Sequence, residues 1–326
     1  MSPVSQIIEP VKEEFEVFKS LLTQSFHESS DPLLSQIFSF VSDHPGKLLR
    51  PLLTILVSKW AGQVTSDTYH SAVCVEMLHS ASLIHDDVVD ESKLRHGMAS
   101  INAQFGNKVA VLAGDYLLSC ALYHSRQTKD IRIYDTVVKL GQSLSLGEIL
   151  QIENQSSETF SYDAYYNIIE NKTASLFAAC CLTGAYSSCA DDDFVLKAQM
   201  FGSTLGKAFQ IVDDVFDLKG DVSLGKPIGN DMLEGKLTLP VLFALSKENP
   251  GSKAVLTALK VHQLEATRED ISFLTEFTKS NGGLEYAMEK ADGLRQKALS
   301  FLPFDSDPKV ASALSDYCDF ILQRKF

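Results

Sequence analysis

Positive charge is scarce in this chain. Lysine and arginine together number 29 against 42 aspartates and glutamates, a formal net charge of -13 over 326 residues. Nucleic acids and anionic membranes call for a basic patch, so neither is expected as a partner. Long apolar runs are also lacking. None reaches the roughly 18 residues of a membrane-spanning helix. The nearest, VAVLAGDYLLSCALY (109–123), is broken by Asp115. The first residues, MSPVSQIIEPVKEEF, lack the positive start and apolar block of a secretory signal. The 6 cysteines, Cys74, Cys120, Cys180, Cys181, Cys189 and Cys318, show no Cys-x-x-Cys spacing. That pattern predicts reduced core thiols in a cytoplasmic protein rather than disulfides or metal ligands. What the chain does have is apolar mass: 45% of its residues are hydrophobic, enough to bury a large core.

Apolar residues recur at three- and four-residue steps through 11–25, 51–62, 66–91, 108–125, 131–152, 163–187, 194–218 and 233–246. That stepping belongs to helices with one buried face. Strand-like alternation is scarce, and glycine and proline fall mainly between the blocks, as at Gly220, Gly225 and Pro250-Gly251. No fixed-period repeat, low-complexity tract or linker interrupts them. The expectation is an all-α fold in a single domain over 1–326, with the motif-bearing core within 40–250 and further helices in 251–326.

In SAVCVEMLHSASLIHDDVVDES (71–92) a helical apolar pattern ends in charge. Asp86 and Asp90 are four apart and share one face, while Asp87 is turned by about 100° from Asp86. Like charges so placed destabilise a helix unless a cation sits between them. Carboxylates that hold Mg²⁺ leave several of its positions to water and phosphate oxygens, so the pair suits a magnesium bridge to a phosphorylated ligand. Alone, the motif is equally compatible with a solvated acidic helix end. It is not alone. LGKAFQIVDDVFDLKGD (205–221) repeats it as Asp213, Asp214 and Asp217, with Asp213 placed 127 residues after Asp86 (213 - 86). Two such helix ends facing one cavity would clamp a single diphosphate through bound cations. Basic residues follow: Lys226 and Lys236 in the glycine-containing segment GKPIGNDMLEGKLTLP, and Lys47 and Arg50 at a helix start in HPGKLLRP.

At this point the chain resembles the trans-isoprenyl diphosphate synthases of the polyprenyl synthetase family. The matching residues are GKLLRP (46–51), EMLHSASLIHDDVVDESKLRHG (76–97), GDYLL (114–118), LGEILQ (146–151), NKTASLF (171–177), GKAFQIVDDVFDLKGD (206–221) and GKPIGNDMLEGKLTLPVLFAL (225–245). The resemblance implies an isoprenoid synthase-type helical bundle around a deep central cavity, usually as a homodimer. It implies about three Mg²⁺ ions around the allylic diphosphate, held by Asp86, Asp90 and Asp213, with Asp87, Asp214 and Asp217 close by or bonding through water. Arg95, Lys172, Lys236 and Lys226 would contact the same diphosphate. Lys47, Arg50 and His79 would hold isopentenyl diphosphate, and Thr173 and Gln210 would lie beside the developing carbocation. The implied reaction is successive head-to-tail condensation, with the released diphosphate as the base.

Two positions depart from the family pattern. Leu48 stands where relatives carry a cation, and His96 follows Arg95 where they carry a second arginine. Imidazole is charged only below its pKa of about 6.5, so weaker use of isopentenyl diphosphate is expected. Such a loss would also fit a non-catalytic subunit of a heteromeric synthase, although those generally lack intact acidic motifs. A terpene cyclase would carry Asn/Ser/Glu ligands in place of the second motif. An HD-type phosphohydrolase would account for His79 and His85-Asp86 but not for the lysines. For product length, Val75, Leu78, Ala81 and Ser82 form a stripe running back along the helix from Asp86. Family members that stop at short products place a bulky aromatic at one of the last two positions. Both are small here, so a medium or long all-trans product of about six to eight isoprene units is expected over farnesyl or geranylgeranyl diphosphate.

Overall fold

The computed structural model describes residues 3–26, 31–42, 46–95, 98–155, 157, 159–220, 228–302 and 307–323. Its helices are, in order, α1 (Pro3–Ile8), α2 (Lys12–Phe26), α3 (Pro32–Ser42), α4 (Leu49–Ala61), α5 (Ser66–Val89) and α6 (Ile101–Phe105). Next come α7 (Asn107–Arg126), α8 (Ile131–Gln155), α9 (Tyr162–Ile169), α10 (Ser175–Ser187) and α11 (Asp192–Lys219). The last are α12 (Asn230–Leu233), α13 (Leu239–Leu245), α14 (Lys253–His262), α15 (Arg268–Ser280), α16 (Gly283–Leu299) and α17 (Pro308–Leu322). Among the described residues the only strands are β1 (Leu94–Arg95) and β2 (Met98–Ala99), an antiparallel pair with Arg95 opposite Met98. The fold is all-α, as the periodicity requires.

Two of the expected helices are broken. The block 163–187 contains a π-helical turn, Glu170–Ala174, between α9 and α10. The block 233–246 splits into α12 and α13, because Gly235 adopts φ +78° and Pro240 fits only the first turn of a helix.

The chain folds into two compact units, each assembled from separate stretches. The first comprises Met1–Gln142, Leu176–Ser203 and Ala298–Phe320; the second comprises Ser143–Ser175, Thr204–Lys297 and Ile321–Phe326.

In the first unit, α4 buries Leu52, Leu53, Ile55, Leu56 and Val57 completely. Trp60 lies against Phe194 with ring centroids 4.6 Å apart. Gly184 allows α10 to approach α4, since a Cβ there would fall 2.5 Å from the Thr54 carbonyl oxygen. Where α4, α5 and α10 meet, the hydroxyls of Ser58, Thr68 and Ser187 bond to one another, which removes the cost of burying them. Beside them, a polar chain crosses α2, α5 and α7. Ser25 Oγ donates to the Leu21 carbonyl (2.8 Å), so it accepts from His124 Nε2 (2.9 Å); His124 Nδ1 then accepts from His70 Nδ1 (3.0 Å). The second unit is built on Ile211, Val212 and Val215 of α11, packed with Tyr165, Leu239, Val241 and Leu274. Four of the six cysteines are buried and all six are free thiols.

Candidate active site

Helix α5 ends at Val89, with Asp90 as its C-cap, where the Asp90 N–H bonds the Asp86 carbonyl at 2.8 Å. Glu91 then takes a left-handed conformation (φ 51°), and the chain returns from there into strand β1, beside the helix end. The return brings Arg95 onto Asp87. Arg95 Nε bonds both carboxylate oxygens at 2.9 Å and Nη2 bonds Oδ1 at 2.7 Å. Asp87 is 3% exposed. Asp86 and Asp90, on the other face, are half-buried. One carboxylate of the motif is thus matched by a guanidinium within the chain. His85 is fixed from below by the GDYLL segment. Its Nε2 lies 3.1 Å from the Val111 carbonyl and 3.4 Å from Asp115 Oδ1, and any side chain at position 114 would overlap the ring.

Lys47 and Arg50 flank the start of α4, where Leu48 sits in the left-handed region (φ 49°). Helix α17 braces this segment. Tyr317 Oη donates to the Leu49 carbonyl at 3.0 Å, and Lys47 Nζ lies 5.1 Å from the centroid of Phe320. The Arg50 guanidinium stacks 5.7 Å from Phe177. Burial pushes the carboxyl of Glu76 up to about 7, with the charge of Arg50 opposing that rise. Along α5, Val75, Leu78 and Ala81 are buried, while His79 and Ser82 are half-buried. His96 and Lys226 lie outside the described residues.

In the second unit, Lys172, Thr173, Gln210, Asp213, Asp214, Asp217 and Lys236 all fall within one packed group of elements. The π turn carries Lys172 and Thr173. Gly147 of α8 lies directly against it, so that a Cβ at 147 would meet the Lys172 backbone nitrogen at 2.9 Å. Glu148, the next residue, forms an ion pair with Lys172 Nζ. The LGEILQ segment therefore both makes room for Lys172 and neutralises it. Glu234 does the same for Lys236 at 2.6 Å, and its other oxygen accepts from Asn230 Nδ2 at 2.6 Å.

The three aspartates of the second motif have three different environments. Asp213 is exposed. Asp217 accepts the backbone N–H of Asn230 at 3.0 Å and that of Asp231 at 3.4 Å, which fastens α12 to α11. Asp214, 2% exposed, accepts from Tyr165 Oη and Gln210 Nε2. Burial, and then the charge of Asp231, holds the Asp214 carboxyl well above the usual carboxylate range; the same two causes push Asp217 up to about 8. Asp231 itself is pushed up to about 6 by burial, with Lys236 opposing the rise. A group of carboxylates that resists ionisation in this way is one that added positive charge would relieve. The donors are hard oxygens, as Mg²⁺ requires. Among the described residues no three or more potential ligands form a ready metal cage.

Sequence reasoning did not single out Tyr165, Glu148, Asp231 or Glu76. Glu148 lay inside a recognised motif, and Asp231 inside another. Tyr165 carries no local signal, since its partner Asp214 is 49 residues distant; Glu76 opens a recognised segment, but its partner Arg50 is on another helix.

Comparison with known proteins identifies the family. The polyprenyl synthetase family model matches residues 31–276. Heptaprenyl diphosphate synthase component 2 of Bacillus subtilis is 32% identical over 97% of this chain and 89% of its own. The crystal structure of geranylgeranyl pyrophosphate synthase from Bacteroides thetaiotaomicron is 41% identical, covers 99% of this chain and 100% of its own, and superposes with a TM-score of 0.86. That of polyprenyl synthase from Caulobacter crescentus CB15, complexed with calcium and isoprenyl diphosphate, is 29% identical over 98% of both chains with a TM-score of 0.92. With both acidic motifs and the lysine-bearing segments inside the matched region, the chain is a prenyltransferase and belongs to the polyprenyl synthetase family.

Proposed function

We propose that the chain is a Mg²⁺-dependent trans-polyprenyl diphosphate synthase. It extends an allylic diphosphate by successive 1'-4 condensation with isopentenyl diphosphate to an all-trans product of about six to eight isoprene units. The observation that carries this reading is the crowding of carboxylates at the second motif beside Lys172 and Lys236, matched by an intact first motif at the end of α5.

Asp86, Asp90 and Asp213 would hold the magnesium ions, as the resemblance of the two acidic motifs implies. Bound metal supplies charge that neutralises the departing diphosphate. Asp87 holds Arg95 in register for the same group, and Glu148 and Glu234 hold Lys172 and Lys236. Lys226 belongs to this set as well. Lys47, Arg50, His79 and His96 bind isopentenyl diphosphate, with Arg50 braced by Phe177. Thr173 and Gln210 present oxygen atoms to the allylic cation. Val75, Leu78, Ala81 and Ser82 line the path of the growing chain.

Incubation with Mg²⁺, farnesyl diphosphate and labelled isopentenyl diphosphate tests the reading. A ladder of longer linear diphosphates ending near six to eight units supports it. A single addition to geranylgeranyl diphosphate would move the assignment to the short-chain class. No extension would leave the second reading, a subunit of a heteromeric synthase, which the similarity to a protein named component 2 favours.

A single domain over 1–326 acting as a homodimer in the cytoplasm fits this assignment. No helix among the described residues is long and apolar enough to cross a membrane. Leu112 and Tyr123 on α7 are 66% and 57% exposed, and Ile149 and Ile152 on α8 are 53% and 50% exposed. These are apolar surfaces suited to a second copy, and sedimentation equilibrium would read the mass.

A further inference from the structure

We infer that Tyr165 is a positioning residue: through Asp214, its hydroxyl fixes the side-chain amide of Gln210 and, with it, the hydroxyl of Thr173. The inference rests on the proposed function for the roles of Gln210 and Thr173, but its geometry stands within one unit of the fold. Tyr165 Oη donates to Asp214 Oδ2 at 2.5 Å. Gln210 Nε2 donates to Asp214 Oδ1 at 2.9 Å. Thr173 Oγ1 donates to Gln210 Oε1 at 2.7 Å. The chain of bonds thus runs from α9 through two residues one turn apart on α11 to the π turn.

A primary amide has a donor end and an acceptor end, and its neighbours decide which points where. Both oxygens of Asp214 serve as acceptors here, Oδ2 from Tyr165 and Oδ1 from Gln210. With Asp214 Oδ1 on one side, Gln210 must turn its NH₂ group there, and its carbonyl oxygen then faces Thr173. Thr173 can satisfy that oxygen only by donating. Both groups therefore show the negative ends of their dipoles to the space beside them, the polarity a developing carbocation needs. A flipped amide would present N–H groups instead. Asp214 can enforce the direction only while its carboxyl cannot rotate. Tyr165, itself 6% exposed, occupies the second oxygen and supplies that restraint. The residue does not touch the substrate in this assignment; it acts through Asp214.

Tyr165→Phe removes one oxygen and keeps the ring. In the full-length protein it should lower kcat by about tenfold, as loss of orientation does, while KM for each diphosphate stays within about twofold. In a Gln210→Leu background the same change should have little further effect on kcat, because the path from Tyr165 through Gln210 has been removed. An unchanged kcat in Tyr165→Phe, or an equal loss in both backgrounds, would overturn the inference. Independently of turnover, the side-chain amide resonance of Gln210 can be identified by its loss in Gln210→Leu. It should shift in Tyr165→Phe while the other glutamine side chains do not, and an unmoved resonance would equally overturn the inference. That measurement keeps the two readings separable, since a wild-type protein that makes no longer diphosphate would fail the proposed function alone. If Tyr165→Phe does not fold, Asp214→Asn replaces it with the same expected displacement and the same contrary result.

Discussion

Single residues carry both the chemistry and its supports, and the sequence displayed them unequally. The six motif aspartates were legible because they repeat at a fixed spacing. That three of them serve other residues was not legible, because Asp87 meets Arg95 only after the chain turns past the helix end, Asp214 meets Tyr165 only across the packed core, and Asp217 meets the backbone of α12. Activity should require Asp86 and Asp213. Alanine at either should cut turnover by about two or more orders of magnitude with helicity intact by circular dichroism, and near-normal turnover in either folded variant would sink the metal assignment. A second residue-scale prediction concerns acid stability. Burial, and then the charge of His70, lowers the pKa of His124 from 6.5 to about 4. The unfolded chain therefore takes up a proton near pH 6.5 that the folded state refuses. Stability from this residue is complete above that pH and is lost progressively as the pH falls toward 4. Glu76 acts in the opposite sense, since its raised folded value favours the folded state as pH falls through 7. The informative quantity is thus the difference between wild type and His124→Gln: the variant should show a shallower fall in denaturation midpoint between pH 6.5 and about 4.5. Parallel curves would mean that His124 titrates normally.

At the scale of elements, most helices were legible, α3 (Pro32–Ser42) not among them, and helix interruption was not. Apolar residues step across 163–187 without a break because a π turn inserts one residue while leaving both flanking faces buried. The insertion appears only in what it positions, Lys172 and Thr173. Its counterpart is Gly147, which reads in sequence as a mild helix breaker and in the fold as the surface against which that turn lies. Gly147→Ala should therefore act at a distance in sequence. Alanine favours a helix by up to about 1 kcal/mol over glycine, yet here overpacking against Lys172 should cost about 1–3 kcal/mol. The melting temperature and kcat should fall together. A stabilised protein with unaltered kcat would show that the close approach imposes no constraint.

For the molecule as a whole, all-α architecture followed from periodicity, and the family followed from motifs spread along most of the chain. Product length is the property with the thinnest sequence record, resting on four positions of α5. Ala81 is 3% exposed, which is compatible both with a wall of the chain path and with ordinary core. Ala81→Phe separates these. If it lines the path, the product should shorten to about three or four isoprene units at nearly unchanged melting temperature. If it is core, overpacking should lower stability by about 1–3 kcal/mol and leave the product as it was.

The division of the chain into two units has a consequence for its ancestry and its engineering. Neither unit is a continuous stretch: the polypeptide passes between them at residues 142, 175, 203, 297 and 320. Any single crossover between this gene and that of a relative must give at least one unit mixed parentage, joining surfaces that were never selected together. Exchange at two junctions alone, such as 142 with 175, would separate the glycine seat and π turn from the 204–297 stretch of the same unit. Only exchange at all five junctions together keeps each unit of one parentage, so functional chimeras should be recovered more often from that exchange than from single crossovers.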